Sequence, residues 1–452
     1  MRKFVKYEIS NVLVFKENLL HYANSFHRCC VLISNTGQEN FTGIYSDRNE
    51  MIIAVDSIDQ ITPSENSFAA LNRFHKEKTD WLFGFLTYDL KNEVESLSSE
   101  NFDGINFPRM NFFQPKYVFI LRNTKVEIGF LPNVSSKEEV ATLFYEINSG
   151  GQIANCKLQI KEIKCRISKE EYIATVNKVK EHIHRGDVYE MNYCMEFFSE
   201  ETITSPDAIF LRLNQTSQAP FSAFYRMGDK YLLCASPERF LKKEGKKIIS
   251  QPIKGTSKRG ATGTEDLEIK KTLSQNEKEK SENVMIVDLV RNDLSKTCDN
   301  VHVDELFGVY TFSQWHQMIS TVSGEMRSDV QFVDVIKKSF PMGSMTGAPK
   351  VRAMELIEQY EKTKRGLYSG SIGYITPDAD FDFNVVIRSI LYNAASRYIS
   401  FQVGSAITAN STAENEYEEC LLKAKGMFEA LNINANDALK ISNDELNSLA
   451  HA

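Results

Sequence analysis

Apolar residues recur every three to four positions between residues 168 and 186, which predicts an amphipathic helix. Ser168 and Glu171 form a capping box at its start, and Gly186 ends it. A second capping box, Ser411 with Glu414, predicts where the last helix begins. Similar patterns predict helices over residues 137–148, 265–275, 277–294, 331–339 and 350–361.

Short runs rich in β-branched and aromatic residues predict strands between these helices. Strands and helices come in mixed order, without a regular βαβ rhythm, so the pattern favours an α+β fold over a doubly wound parallel sheet. The predicted strands are Met51–Val55, Trp81–Leu90, Tyr117–Leu121, Lys230–Ser236, Lys246–Ile253, Ser369–Ile375 and Phe383–Asn393.

The clarity of the pattern changes along the chain, which predicts its organisation. Residues 1–165 alternate short β-rich pieces with polar turns and form a predicted N-terminal region. Residues 166–432 carry the sharper pattern and form a second predicted region. Residues 433–452 are rich in Asn and are interpreted as a tail.

Charge and composition limit the possible functions. The 452 residues include 53 Lys plus Arg and 60 Asp plus Glu, a net charge of −7, so we expect no general attraction to nucleic acid or anionic membranes. No apolar run is long enough for a membrane span or a secretory signal. The eight cysteines form no CxxC pair, which is typical of free thiols in the cytoplasm.

Several acidic and basic residues are candidates for chemistry. On the last helix, Glu416, Glu419 and Lys423 fall within a sector of about 60°, beside the apolar stripe. A surface ion pair between Glu419 and Lys423 explains that spacing equally well. Glu282 precedes an apolar helix and is either a divalent-metal ligand or the solvated end of a charged run. Lys254 is either a nucleophile or base held in a dry site or an ordinary turn lysine.

Separate stretches of the chain resemble, in order, the chorismate-utilising enzymes. This family includes anthranilate synthase component I, aminodeoxychorismate synthase component I, and the isochorismate and salicylate synthases. The resemblance implies an α+β fold in which large mixed sheets pack face to face with helices outside. The stretches are ASPERF (235–240), QPIKGTSKRG (251–260), ENVMIVDLVRNDL (282–294), GSMTGAPKVRAME (343–355), YSGSIGY (368–374), VVIRS (385–389) and EYEECLLKA (416–424).

The resemblance implies a site for chorismate, a dicarboxylate with a leaving hydroxyl at C4. It implies that Glu282 and Glu419 hold Mg²⁺, which orients the substrate. Lys254 is implied as the nucleophile, Glu238 as the general acid and His316 as an assisting group. Desolvation and Mg²⁺ are expected to lower the Lys254 pKa. The implied substrate contacts are Gly255, Thr256, Thr346, Tyr374, Arg388, Gly404, Ser405, Ala406 and Lys423.

The lysine at position 254 favours one branch of the family. The PIKGT stretch resembles aminodeoxychorismate synthase component I, whereas anthranilate synthases typically have PIAGT. Glu190 stands where water-adding members have a lysine base and amine-adding members more often have Gln. A carboxylate there needs compensation near a dianionic substrate. Ala406, where Gly is usual, and Cys420, where Thr is usual, are further departures.

The expected reaction also needs ammonia. Nothing in the sequence resembles a glutaminase nucleophile loop, so the implied partner is a separate glutaminase subunit. The alternatives are anthranilate synthase component I, an isochorismate or salicylate synthase, and a non-catalytic chorismate-binding subunit.

Overall fold

The computed structural model describes residues 1–35, 49–150, 158–312 and 315–433. The strands are β1 Lys3–Glu8, β2 Arg28–Ile33, β3 Met51–Ile61, β4 Leu82–Leu86, β5 Met110–Arg122, β6 Lys125–Phe130, β7 Lys164–Cys165, β8 Glu190–Ser199, β9 Phe221–Met227, β10 Lys230–Ser236, β11 Arg239–Glu244, β12 Lys247–Gln251, β13 Ile253–Lys258, β14 Cys298–Thr311, β15 Trp315–Met326, β16 Gly347–Ala348, β17 Ser371–Ile375, β18 Phe381–Asn384, β19 Ser389–Asn393 and β20 Tyr398–Thr408. The helices are α1 Val12–Asn24, α2 Ser67–Lys78, α3 Lys91–Val94, α4 Lys137–Ser149, α5 Lys169–His184, α6 Pro206–Ser217, α7 Gly263–Gln275, α8 Glu277–Ser295, α9 Phe332–Ser339, α10 Lys350–Tyr360 and α11 Ala413–Ala430, with short 3₁₀ turns at Tyr88–Leu90 and Gly343–Met345.

The long strand β5 joins two sheets. One edge of β5 pairs with β3, while the other pairs first with β4 and then with β6. From β5 the first sheet continues in the order β3, β2, β9, β10, β19, β20 and β8. The second sheet continues from β4 in the order β17, β18, β11, β12, β15 and β14. Strand β13 follows β12 along the same edge of β15.

The two sheets pack face to face, and helices cover their outer faces. The cluster between the sheets includes Phe83, Phe85, Phe113 and Tyr225. Helices α1, α4, α5, α6 and α11 cover the outer face of the first sheet, and α2, α8 and α9 cover that of the second. This burial of apolar surface in layers is the main stabilising contribution to such a fold.

The α+β class and the layered architecture are therefore confirmed. The named strand pairs are antiparallel, where mixed sheets were expected. The reason is that tight turns join many neighbouring strands, such as β5 to β6 and β9 to β10, and a hairpin can only connect antiparallel partners.

Locally encoded helices match the predictions well. Ser168 and Glu171 make the predicted capping box, and α4, α8, α9 and α10 lie within about two residues of their predicted ranges. The predicted box at Ser411 is wrong. Helix α11 begins at Ala413, and the Ser411 hydroxyl instead accepts a hydrogen bond from the Thr408 backbone N–H at 3.1 Å. Ser411 therefore closes the turn before the helix.

Two predicted strands are divided in the structure. Residues 383–393 form β18 and β19 with a break between them, because Arg388 adopts φ 51°, outside the β region. Residues 246–253 become β12 and the start of β13, with Pro252 between them. Proline has no N–H to donate to a ladder, so it interrupts the edge. Lys254 consequently lies in a strand rather than in a turn.

The two predicted regions, residues 1–165 and 166–432, contribute strands to the same sheets. Strand β2 pairs with β9, and β4 pairs with β17, so hydrogen bonds cross the predicted boundary near residue 165. The division at that residue stays a prediction about the sequence. Most of the predicted tail lies outside the described residues. No helix in the described ranges is both long and apolar enough to cross a membrane.

Candidate active site

A cavity of about 530 Å³ lies where the last strands of the two sheets come together. Strands β8 and β20 line it from the first sheet, and β13 and β15 line it from the second. Helices α8 and α11 close its acidic side. Its lining includes the predicted residues Glu238, Lys254, Gly255, Thr256, Glu282, Arg388, Gly404, Ala406, Glu419 and Lys423.

Lys254 projects into this cavity from β13 and pairs with Glu190 on β8. Its Nζ donates to Glu190 Oε1 at 2.7 Å. Burial opposes the charge on Lys254, but the carboxylates of Glu190, Glu282 and Glu419 outweigh burial and raise its pKa above the ordinary value. This direction is opposite to the expected lowering. The compensation that Glu190 needs is therefore supplied by Lys254 itself.

The loop before α10 makes the position of Glu190 possible. Gly347 pairs with the start of β8 at φ 153°, a conformation that favours glycine. A Cβ atom at Gly347 would lie 2.1 Å from the Glu190 carbonyl oxygen, so only glycine allows this close approach. Asn192 holds the same loop, since its side chain donates to the Ser344 carbonyl at 3.0 Å.

Glu238 lies directly after β10 and is only 5% exposed. The Ser344 hydroxyl donates to Glu238 Oε1 at 2.6 Å. Burial raises the pKa of Glu238 to about 7, while the Ser344 hydrogen bond and the charge of Lys254 act in the other direction. A carboxyl group of this kind can carry a proton near neutral pH and deliver it to a bound molecule.

We expect Glu238→Gln to stabilise the protein at pH 8 but not at pH 5. Because the folded pKa lies above the ordinary value of 4.5, the stability linked to Glu238 is complete below about pH 4.5 and is lost as the pH rises through about 7. Glutamine keeps the shape and the hydrogen bond from Ser344 without the buried charge. Thermal unfolding at both pH values should show a gain on the order of a few kcal/mol at pH 8 only. The exposed Glu200→Gln is the control, and an equal gain at pH 5 would contradict the assignment.

Helices α8 and α11 present carboxylates to the cavity. Burial raises the pKa of Glu282 to about 7, with Glu190 and Glu279 adding repulsion and Lys254 opposing it. Burial also works against the charge of Glu419, but Lys423 at 2.6 Å lowers the Glu419 pKa below its ordinary value. The surface-pair interpretation of Glu419 and Lys423 is thus partly right, because the pair forms at the cavity rim.

These carboxylates fit a divalent cation. Hard oxygen donors are the ligands that Mg²⁺ prefers, and burial together with repulsion from Glu190 and Glu279 raises the pKa of Glu282, so a cation beside Glu282 would favour its charged form. Among the described residues no group of three or more His, Cys, Asp or Glu side chains could hold a metal. One or two carboxylates, with the remaining positions filled by water and substrate oxygens, is the usual protein contribution to a Mg²⁺ site.

Arg388 provides an available positive charge on the opposite side. Its positive φ, in the break between β18 and β19, turns the side chain into the cavity, where the guanidinium lies 5.9 Å from the Trp315 ring. Burial lowers its pKa. Within the described ranges no carboxylate forms an ion pair with Arg388, so its fork of donors is available for a bound carboxylate.

Four predicted site residues lie outside the cavity lining. His316 lies between Trp315 and Gln317 on β15, and strand alternation turns it to the opposite face, where its Nε2 lies 2.9 Å from Asp266 Oδ1. Ser405 alternates in the same way on β20, and its hydroxyl contacts the Tyr172 hydroxyl at 3.0 Å.

The other two predicted residues, Thr346 and Tyr374, make their contacts outside the cavity lining. The Thr346 hydroxyl donates to the Met342 carbonyl at 3.2 Å within the loop. Tyr374 lies in a second cavity of about 200 Å³, with its ring 5.4 Å from that of Trp81. The expected substrate contacts through these side chains are not supported by their positions.

Sequence reasoning also missed several polar residues of the lining. Ser344 and Tyr368 lie inside stretches that carried the family resemblance, so the motif itself was the available signal for them, whereas Asn192 and Gln402 lie outside those stretches. The alternation of strand faces, which decides their direction, could not be read from the motifs. They are Asn192, Glu279, Ser344, Tyr368 and Gln402.

Comparison with known proteins identifies the family. The model of the chorismate binding enzyme family matches residues 28–429. The chain belongs to the chorismate-binding enzymes. The resemblance predicted from the motifs is therefore confirmed, and this chorismate-binding enzyme is expected to act on chorismate as its relatives do.

Named relatives come from more than one branch of the family. Aminodeoxychorismate synthase component 1 of Bacillus subtilis is 31% identical over 366 residues, covering 78% of this chain and 77% of its own length. Anthranilate synthase component 1 of Thermus thermophilus is 31% identical over 356 residues, covering 77% of this chain and 76% of its own length. The probable chloroplastic aminodeoxychorismate synthase of rice is 42% identical over 266 residues. The match covers 57% of this chain but only 29% of the length of that relative.

Solved structures agree on the fold. Anthranilate synthase component I of Streptococcus pneumoniae has a TM-score of 0.74 at 25% identity, covering 86% of this chain and 94% of its own. The menaquinone-specific isochorismate synthase of Escherichia coli has a TM-score of 0.75 at 15% identity, covering 95% of this chain and 94% of its own. At that identity the likeness shows the shared fold alone.

Proposed function

We propose that this chorismate-binding enzyme is component I of an aminodeoxychorismate synthase, which converts chorismate and ammonia to 4-amino-4-deoxychorismate for folate biosynthesis. The observation that carries the proposal is the amine of Lys254 in the cavity lining, because PIKGT distinguishes this branch from the PIAGT of anthranilate synthases. The relatives' names support both branches equally.

The charges around the cavity suit a dicarboxylate. Arg388 offers a bidentate grip for one carboxylate, and the backbone at Gly255, Thr256 and Gly404 lines the same space. Glu282 and Glu419 would hold Mg²⁺, which when bound would orient the other carboxylate and withdraw charge from it.

The proposed chemistry uses two side chains. The Lys254 amine attacks C2, the ring double bond shifts, and the C4–O bond breaks. Glu238 donates the proton that lets the hydroxyl leave as water. Ammonia then forms a bond to C4 while the lysine departs from C2 with its electron pair. The Glu238 carboxylate can accept the proton that the new amine releases, which restores the starting state.

Product analysis tests this proposal against its alternative, anthranilate synthase component I. The pure protein would be incubated with chorismate, Mg²⁺ and ammonium, and the products separated and identified by mass. The 4-amino-4-deoxychorismate mass is the expected result. Anthranilate, isochorismate or salicylate would assign another branch, and no product would favour a non-catalytic subunit.

The ammonia supply leads to a separate prediction. No glutaminase motif occurs in the sequence, so the isolated chain should use ammonium and show no turnover with glutamine. Adding a glutaminase subunit in trans should confer glutamine-dependent turnover, and inactivating its cysteine should abolish that turnover while leaving the ammonium reaction intact. Glutamine-driven turnover by the pure chain alone would contradict the prediction.

We also propose that the reaction takes place in the cytoplasm. The seven cysteines in the described part of the chain are free, which suits a reducing compartment.

A further inference from the structure

Glu190 is the least explained charged residue of the site. It is fully buried, and its Oε1 accepts the only hydrogen bond that the described residues offer its carboxylate, from Lys254 Nζ at 2.7 Å. Its second oxygen, Oε2, is buried without a hydrogen-bond partner in the described ranges. Buried carboxylate oxygens are ordinarily satisfied, so an unpaired one calls for an explanation.

The surroundings make a charged Glu190 costly. An ion pair that leaves water loses several kcal/mol of solvation per ion, and it recovers this only when every polar atom is satisfied. Here one oxygen is unsatisfied, and Glu282 adds repulsion. Moving one proton from Lys254 to Glu190 would give a carboxylic acid and an amine. Such a neutral pair needs less solvation, so the two forms lie closer in free energy than they would in water.

We propose that Glu190 is the internal base that receives the ammonium proton of Lys254, which frees the amine to attack the substrate. This inference rests on the proposed function, because it assigns the step that precedes attack by Lys254. A nucleophile and its base within hydrogen-bond reach are the usual arrangement for activating a side chain.

The proton balance is internal to the pair. One Nζ–H bond breaks, its electron pair stays on Lys254 Nζ, and the proton forms an O–H bond to Glu190 Oε1. The amine then forms the bond to C2. When the lysine departs it leaves as a neutral amine, so Glu190 keeps its proton and the next cycle can begin at once. No additional acid, base or oxidant is required.

Other charged groups also face this pair. In the described ranges neither Glu282 nor Glu419 forms an ion-pair contact with Lys254, so Glu190 is its direct partner. The remaining groups act through space and are the same in a Glu190 variant. They are Glu238 beyond β10, Lys258 on β13, Lys278, Glu279 and Glu282 on α8, Arg388 between β18 and β19, and Glu416, Glu418, Glu419 and Lys423 on α11.

The pH dependence of kcat/KM with ammonium tests the base. In the wild type the proton stays within the pair, so Lys254 should add no pH dependence across neutral pH, and the titration of Glu238 should remain. In Glu190→Gln the proton must pass to solvent. The variant should therefore lose about 10²-fold or more at pH 7, and the ratio of its kcat/KM to that of the wild type, in which the titration of Glu238 cancels, should rise about tenfold per pH unit until the lysine is deprotonated.

Glu190→Asp is the matched variant, since it keeps the carboxylate on a shorter side chain. It should restore the wild-type pH profile at a reduced rate. Two outcomes would overturn the proposal: a Gln variant with the wild-type rate and profile, or a Gln variant that loses the same factor at every pH, which would indicate a structural role. Thermal unfolding of all three proteins at one pH identifies any loss that comes from unfolding.

A second measurement needs no substrate. Limited acetylation with acetic anhydride over a pH series, read at Lys254 by peptide mass spectrometry, gives the pH at which its amine becomes free. In the wild type that midpoint marks the loss of the pair's shared proton to solvent, so it should fall in Glu190→Gln, where the anion that holds the proton is absent. Lys350, a partly buried lysine paired with Asp293 outside the site, serves as the internal reference. Equal midpoints would overturn the pairing even if product analysis had rejected the proposed reaction.

Discussion

Lys254→Ala is expected to lower kcat by at least about 10³-fold, because it removes the proposed nucleophile and with it the covalent route. Chorismate should still bind, since Arg388 and Lys423 remain in the cavity lining. At high ammonium the residual reaction should change its position of attack, because ammonia can occupy the vacated space and reach C2. Steady-state kinetics and product masses measure both effects.

Lys254→Arg separates the nucleophile from a simple charge. Arginine keeps the positive charge beside Glu190 but cannot lose its proton in a protein. If Lys254 only anchors a carboxylate, the Arg variant should retain much of the activity. If it attacks C2, both variants should be nearly inactive, and a lysine adduct should be detectable at residue 254 of the wild type by mass spectrometry. Near-wild-type rate and product in the Ala variant would remove the main support for the proposed branch.

Glu282→Gln and Glu419→Gln should each abolish Mg²⁺-dependent turnover. Both substitutions keep the shape of the side chain and remove one anionic oxygen donor, so the affinity for Mg²⁺ should fall by at least about 10²-fold. Calorimetric titration with Mg²⁺ measures the affinity directly, and ammonium-driven turnover measures the consequence. The fold should persist, because both carboxylates line the cavity rather than the core.

Glu277→Gln is the matched control on the same helix. Its side chain is 85% exposed and pairs with Lys280 one turn away, so both Mg²⁺ binding and turnover should remain unchanged. Full activity of Glu419→Gln at low Mg²⁺ would exclude Glu419 from the metal site. Loss of activity in the Glu277 variant would show that charge anywhere on α8, rather than ligation, controls the reaction.

The architecture explains why the charged groups converge. The cavity forms at the meeting point of two sheets, so residues far apart in the chain, such as Lys254 on β13 and Glu419 on α11, enter it from different elements. Burial there disfavours the charged form of a carboxyl group, which is why the pKa values of Glu238 and Glu282 are both raised to about 7. A site that must hold a dianion thereby combines acidic groups with Lys254, Arg388 and Lys423.

Local signals were sufficient for several helices, and the motifs of the family resemblance named residues that the structure brings into one cavity. A capping box acts within four residues, so Ser168 and Glu171 could be read directly, and the motif containing Lys254 lies in the cavity lining. Contacts between distant strands decided the rest. Strand alternation, together with the neighbours on each face, turns His316 and Ser405 away, and the left-handed turn at Arg388 directs its side chain inward. The pairing of Glu190 with Lys254 depends on bringing β8 beside β13, a tertiary contact that no local pattern specifies.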